Sequence, residues 1–339
     1  MKKFLFSALA LCLIYTSSWG QNVTKVGTTA AAFLNIGVGA RAVAMGGAFV
    51  AIANDASGLY WNPGGVAVIK NNQAIFNHSE WLAGIKFDFA GIVMNLGQMG
   101  RLGVSATVLS MGDMERTTEL QPDGTGELFS AGSYAIGITY GKMLTDRFSI
   151  GFTGKFIREH IMNTGANGVA LDIGTLYRTQ WRNLMIGMSI TNFGTKMHMT
   201  GQDLLVQHDI DPTRHGNNPN LNADLQTNSY DLPLMFRVGV SYDALQFVNG
   251  HSLVVSLDAL HPSDNVESMN VGAEYVFHNM VALRAGYKEL FSRDSEQGLT
   301  VGAGFQRRLV GTLNLQLDYA YQSFGRLTSV NKFTLLLGF

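Results

Sequence analysis

Residues 313–321 read LNLQLDYAY. Leu313, Leu315, Leu317, Tyr319 and Tyr321 share one face, and Asn314, Gln316, Asp318 and Ala320 share the other. Strict alternation marks a strand whose two faces meet different surroundings. Residues 299–307, LTVGAGFQR, repeat it, with Leu299, Val301, Ala303 and Phe305 set against Thr300, Gly302, Gly304 and Gln306. In 148–156, FSIGFTGKF, Phe148, Ile150, Phe152 and Phe156 alternate with Ser149, Gly151, Thr153 and Lys155. A soluble sandwich also alternates. The repeat favours a barrel: one face is apolar and the other carries Gly, Ser, Asn or charge, strand after strand.

Working outward, about fourteen such segments fall near 73–81, 85–96, 100–116, 127–141, 147–158, 168–179, 183–194, 233–243, 252–261, 267–278, 280–289, 298–308, 312–322 and 331–339. Many reach the roughly 9–11 residues of a tilted spanning strand, and an even number suits an outer-membrane barrel. Connections after even strands are mostly short, such as LGQMG, LTDR and HNM. Those after odd strands are mostly longer and more polar, notably 117–126, 158–167 and 195–232; the connection near 82–84 breaks this rule. The chain ends NKFTLLLGF, where Phe333, Leu335, Leu337 and Phe339 alternate. A last strand with a terminal aromatic resembles the insertion signal of bacterial outer-membrane barrels, which makes Phe339 its key residue.

Composition agrees. Charged residues are 14% of 339 and the net charge is -1, against roughly 25% charged in a soluble domain. Nothing in that balance points to nucleic acid. Beyond the N-terminus no apolar run approaches the roughly 20 residues of a membrane helix, so a membrane protein of this composition crosses with strands. Lys2, Lys3, the apolar run from Phe4 to Tyr15 and Ser18-Trp19-Gly20 predict a signal peptide over 1–20 and a mature start near Gln21. Cys12, the only cysteine, lies inside that segment, which leaves the mature chain without a thiol.

One stretch does not read as strand. Residues 54–67 are NDASGLYWNPGGVA. Asn54, Asp55 and Asn62 are helix-capping types, and Pro63 is suited to a first helical position. The stretch predicts two short helical turns, one after Asp55 and one after Asn62.

Residues 37–67, GVGARAVAMGGAFVAIANDASGLYWNPGGVA, resemble the start of the FadL-like outer-membrane proteins, and more closely the PorV/PorQ family. The matching positions are Gly39-Ala40-Arg41, Met45-Gly46-Gly47-Ala48, Asp55-Ala56-Ser57 and Tyr60-Trp61-Asn62-Pro63; Gly64 replaces the family's alanine. HSEW at 78–81, SMGD at 110–113 and TNFG at 191–194 are similar as well. The resemblance implies an all-β, fourteen-stranded antiparallel transmembrane barrel over 71–339. Within it, residues 21–70 would fold into the lumen as a hatch, with Arg41, Gly46, Gly47, Asp55, Tyr60, Trp61, Asn62 and Pro63 as its motif. It implies an accessory or shuttle role in type IX protein secretion, with translocon and cargo as partners beside outer-membrane lipid. The FadL side of the resemblance implies the alternative, a hatch-gated channel for hydrophobic small molecules.

No catalytic reading emerges. The eight histidines fall in no nucleophile or protease motif, and no GxSxG occurs. His208, Asp209, Asp211 and His215 match no metal-ligand spacing. We expect neither enzyme activity nor a cofactor or metal. Lys155, Asp172, Arg178, Arg237, Asp243, Asp258, Glu274, Arg284, Lys288 and Asp318 fall mostly on the non-apolar strand faces. They either brace the lumen and contact the hatch or line a polar path, and their mixed signs oppose strong ion selectivity. The insertion 195–232 is rich in Asn and Asp without strand pattern, which predicts an extracellular recognition loop.

Overall fold

The computed structural model describes residues 25–339 except 183, 215, 217, 219, 246, 247, 293, 294 and 310. The expected signal peptide and mature start lie outside the described residues.

Fourteen antiparallel strands close into one barrel. They are β1 (Gln73–Glu80), β2 (Lys86–Asn95), β3 (Arg101–Ser110), β4 (Ala131–Thr145), β5 (Phe148–Ile161), β6 (Thr164–Arg178) and β7 (Met185–Gly194). Then follow β8 (Met235–Asp243), β9 (His251–Pro262), β10 (Ser268–Phe277), β11 (Val281–Leu290), β12 (Leu299–Arg308), β13 (Asn314–Ser323) and β14 (Ser329–Gly338). Sequential strands pair, and β1 also pairs with β14, Phe76 opposite Leu335. Closure leaves no sheet edge unpaired, which a bilayer demands. Leu317 and Tyr319 are 48% and 38% exposed, whereas Asp318 and Ala320 between them are 5% and 0% exposed. Apolar side chains therefore face outward and polar ones inward, the inverse of a soluble protein and the pattern that lipid requires.

The two ends differ. One carries the connections 81–85, 111–130, 162–163, 195–234, 263–267, 291–298 and 324–328; we call it the loop end. The other, the turn end, carries 96–100, 146–147, 179–184, 244–250, 278–280 and 309–313, together with the start of β1 and the C-terminus. Charge is also divided. The turn end carries Lys70, Arg101, Lys142, Arg147, Arg178, Arg182, Arg307 and Arg308 against Asp146 and Asp243. At the loop end, residues 111–130 alone carry Asp113, Glu115, Glu119, Asp123 and Glu127 against Arg116.

Three sequence expectations need correction. Residues 158–167 are not a loop: β5 and β6 run past the rim to a two-residue turn, where Met162 takes a left-handed φ of 52° and Thr164 Oγ1 donates to Ile161 O. Segment 100–116 splits, with Met114–Glu115 pairing with Leu128–Phe129 as a separate hairpin. The long insertion is not strandless either: Leu205–His208 pairs with Leu221–Asp224. Turn-forming residues between these short runs hid the pairing.

Candidate functional site

The N-terminal segment is buried against the inner barrel wall. It begins at the loop end, where Ala30 N donates to Asp231 O (2.9 Å), Thr29 Oγ1 to Asp264 Oδ2 (3.0 Å) and Ala31 N to Glu159 Oε2 (3.1 Å). It ends at the turn end, where Arg101 Nε donates to Ile69 O (2.5 Å). Between these points it runs from one mouth to the other. It contains a 3-10 turn, Ala32–Asn35, and three short helices: α1 (Ala40–Ala44), α2 (Gly58–Trp61) and α3 (Pro63–Val66).

Sequence accounts for α3. Asn62 Oδ1 accepts from Gly64 N (2.9 Å), and Pro63 occupies the first position. Asn62 Nδ2 donates to Val50 O (2.7 Å) and Thr175 O (3.0 Å), so one buried side chain ties the turn to the segment and to β6. The start of α2 follows the expected turn after Asp55, with Gly58 N donating to Asp55 O (2.9 Å). Ser57 precedes it without a side-chain cap, and Asp55 Oδ1 accepts from Ser57 N (2.9 Å) and Ser57 Oγ (2.5 Å). The other Asp55 oxygen serves Arg41, so one carboxylate both holds the turn and joins the ion chain.

Wall glycines allow this packing. A Cβ on Gly174 would lie 2.1 Å from Asn62 Oδ1, one on Gly272 2.2 Å from Met45 O, and one on Gly187 2.3 Å from Val50 O. Leu59 seats on a glycine pair, 2.7 Å from a Cβ on Gly91 and 2.3 Å from one on Gly103. Gly46, with φ of +67°, lies against the backbone of β10 and β11. Gly47, with φ of +73°, lies beside Trp61 and Asn270. The alternation of glycine with apolar residues signalled an inward face. It did not signal that the glycines are seats.

The inward charges form two buried groups. Arg41 makes two contacts with Glu274 (2.8 and 2.9 Å) and one with Asp55 (2.7 Å). Arg284 joins Glu274 (2.6 Å) to Asp318 (2.6 Å). Signs alternate along the chain Asp55–Arg41–Glu274–Arg284–Asp318. Each ion thus has an opposite partner, as desolvated charges need. In the second group Lys155 pairs with Asp172 (2.6 Å) and donates to Asn192 (2.9 Å), whose N–H returns to Asp172 (2.8 Å). Asp258 accepts from Phe49 N (2.7 Å) and Val50 N (2.9 Å), orphan donors of the segment. Of the remaining candidates, Arg178 is exposed at the turn end. Asp243 accepts from Leu245 N and Leu253 N.

The aromatic residues close the site. Trp61 Nε1 donates to Val38 O (2.8 Å) and Tyr60 OH to Leu34 O (3.0 Å). Burial pushes the Tyr60 phenol up to about 12. Arg237 lies 5.5 Å over the Trp61 ring and donates to Thr191 Oγ1 (3.1 Å), while its Nε finds no partner. A chamber of about 400 Å³ lies beside them, lined also by Asn35, Met235, Asn270 and Lys288. Phe339 ends the chain at the turn end, its N–H donating to Asn72 O (2.9 Å). Asp209 and Asp211 cap their own turns, accepting from Asp211 N and Thr213 N; His215 lies outside the described residues.

Known proteins place this geometry. No curated protein matches the chain. Among solved structures it resembles the CymD monoaromatic hydrocarbon channel, with TM-score 0.53 and 12% identity over 89% of this chain and 96% of that one. It also resembles the toluene transporter TodX of Pseudomonas putida (0.53, 12%, 89% and 97%). The toluene transporter TbuX of Ralstonia pickettii is similar too (0.51, 11%, 89% and 97%). At such identities the likeness establishes the fold. The family described as "Type IX secretion system protein PorV" matches residues 19–209, more than half of the chain. With a closed fourteen-stranded barrel and an apolar exterior, the chain is an outer-membrane protein that belongs to the PorV family.

Proposed function

We propose that this protein is an accessory of type IX secretion that binds translocon or cargo at its loop end, with residues 21–70 acting as a hatch. Its export depends on the signal peptide over 1–20, and the loop end faces the cell exterior. The observation that carries this reading is the filled lumen. Residues 31–69 occupy it and are bonded to strands on opposite sides of the wall. Such a barrel suits a docking platform better than an open pore. The insertion 195–232 supports recognition: it combines the hairpin Leu205–His208/Leu221–Asp224 with exposed Leu205 and Ile210 on a rigid scaffold.

The test replaces 200–228 with a short Gly/Ser linker. Unchanged barrel assembly with lost co-purification of translocon or cargo supports the reading, and undiminished co-purification removes it. The chamber beside Trp61 and Tyr60 favours a second reading, hatch-gated uptake of hydrophobic small molecules. That reading predicts faster uptake of hydrophobic dyes by the loop-replaced cells and no secretion defect.

A further inference from the structure

The turn end sets eight cationic side chains against two side-chain carboxylates in a chain of net charge -1. Two of these cations stand in lipid-facing register. In β4, Ile136, Ile138, Tyr140 and Lys142 point outward in sequence; Ile138 is 61% exposed, Tyr140 40% exposed, and Lys142 is exposed. In β12, Val301, Ala303, Phe305 and Arg307 do the same. Each cation is the next outward position beyond the aromatic that closes an apolar row. Neither forms an ion pair among the described residues. Between them in the chain, exposed Trp181 carries the Arg182 guanidinium 5.7 Å from its ring.

This order has a physical meaning. Hydrocarbon meets the apolar row, an aromatic ring (Tyr140 on β4, Phe305 on β12) closes it, and a long cationic side chain reaches headgroup phosphate while its stem stays on apolar surface. We propose that this rim is a collar that binds the anionic phospholipid headgroups of the leaflet it meets, with Lys142 and Arg307 as direct phosphate contacts. The two outward cations stand on β4 and β12, well apart around the closed barrel. Lipid surrounds a barrel in that way, whereas one protein partner would gather charge on one flank. Negative surface potential attracts such juxtamembrane cations over about a Debye length. Which leaflet is met rests on the orientation given above; the collar itself rests only on register, exposure and charge.

The experiment uses the full mature protein refolded into vesicles of phosphatidylethanolamine, with or without phosphatidylglycerol. The readouts are the unfolding midpoint of the heat-modifiable band and the phosphatidylglycerol retained after detergent extraction. For the wild type we expect a higher midpoint with phosphatidylglycerol and selective retention of that lipid. Lys142→Gln/Arg307→Gln should lose most of both, a severalfold drop in retained lipid. Arg178→Gln/Arg308→Gln, whose side chains belong to the inward register at the mouth, should keep them. Equal loss in both double variants overturns the collar in favour of anion binding in the vestibule, and a wild type indifferent to phosphatidylglycerol overturns it outright. Should the outward double variant fail to fold, the single variants Lys142→Gln and Arg307→Gln take its place: each should lose part of the retained lipid while the inward pair keeps it, and undiminished retention in both overturns the collar.

Discussion

Arg41 meets Glu274 through two hydrogen bonds, Nη2 to Oε1 at 2.8 Å and Nε to Oε2 at 2.9 Å. One residue belongs to the N-terminal segment and the other to the wall strand β10. The pair joins the two halves of an alternating chain of five charges: losing Arg41 leaves Asp55 without its cation, whereas losing Glu274 leaves Arg41 on Asp55 and Arg284 on Asp318.

Arg41→Gln should therefore loosen the N-terminal segment by about 3 kcal/mol, the lower end of the usual cost of removing one partner of a buried pair, because it leaves Asp55 without a cation and cuts the tie to β10. The barrel ladder does not depend on it. Hydrogen exchange should show faster labelling of residues 31–69 with unchanged protection in the strands. Unchanged labelling of the segment would remove the ion chain from any role in holding it.

Gly174→Val tests the glycine seats. Its Cβ would fall 2.1 Å from Asn62 Oδ1 and 2.8 Å from Pro63 Cδ, and overpacking costs about 1–3 kcal/mol even where neighbours give way. Gly154→Val lies on the outward face of β5 with nothing within 4 Å and serves as control. In planar bilayers the first variant should conduct more than the wild type and the second should match it. Equal conductance in all three would show that α3 does not seal this side.

Alkaline pH should loosen the segment through Tyr60. Its phenol is held up at about 12 by burial, against an ordinary value of 10. The unfolded segment then loses its proton first as pH rises above 10, so stability falls between about pH 10 and pH 12. The difference titration between wild type and Tyr60→Phe, followed by tyrosinate absorbance, should have its midpoint near the upper limit. A midpoint near 10 would place the hydroxyl in water.

The threading of the segment predicts surface access at both ends of the long loop. Thr29 forms a parallel bridge with Asp231, where the loop rejoins the barrel. In the mature chain, free of other cysteines, Thr29→Cys/Asp231→Cys should oxidise to a disulfide with a faster non-reduced band. An epitope inserted near Asn218 should bind antibody on intact cells. Absence of the shifted band would place the N-terminus elsewhere, and antibody binding only after permeabilisation would invert the barrel.

Deleting Phe339 should lower the yield of folded barrel. The residue donates its N–H to Asn72 O and closes the seam between the chain's first and last strands. Quantifying heat-modifiable protein in outer-membrane fractions checks this; wild-type levels would show that the terminal aromatic is dispensable.

Alternation in LNLQLDYAY, LTVGAGFQR and FSIGFTGKF, repeated strand after strand with Gly, polar or charged residues on one face, pointed to the barrel, because an apolar outer face and a polar inner one suit lipid outside and a lumen inside. It determined the number of strands as well, and Asn62-Pro63 determined the start of α3, since a cap and a first-position proline are local chemistry. Strand ends were less legible: the tight turn at Met162 and the hairpin Leu205–His208/Leu221–Asp224 depend on pairing across polar residues that carry no periodic signal. Only the tertiary structure decided what the inward residues do. Asp258 could not be read as an acceptor for Phe49 N, or Gly174 as a seat for Asn62, because those partners lie far apart in the chain. Periodicity reports which face a residue takes. Closure of the barrel decides what stands opposite that face, and here it set a buried segment against Ser149, Asp258, Glu274, Thr300 and Thr334, which alternation had turned inward.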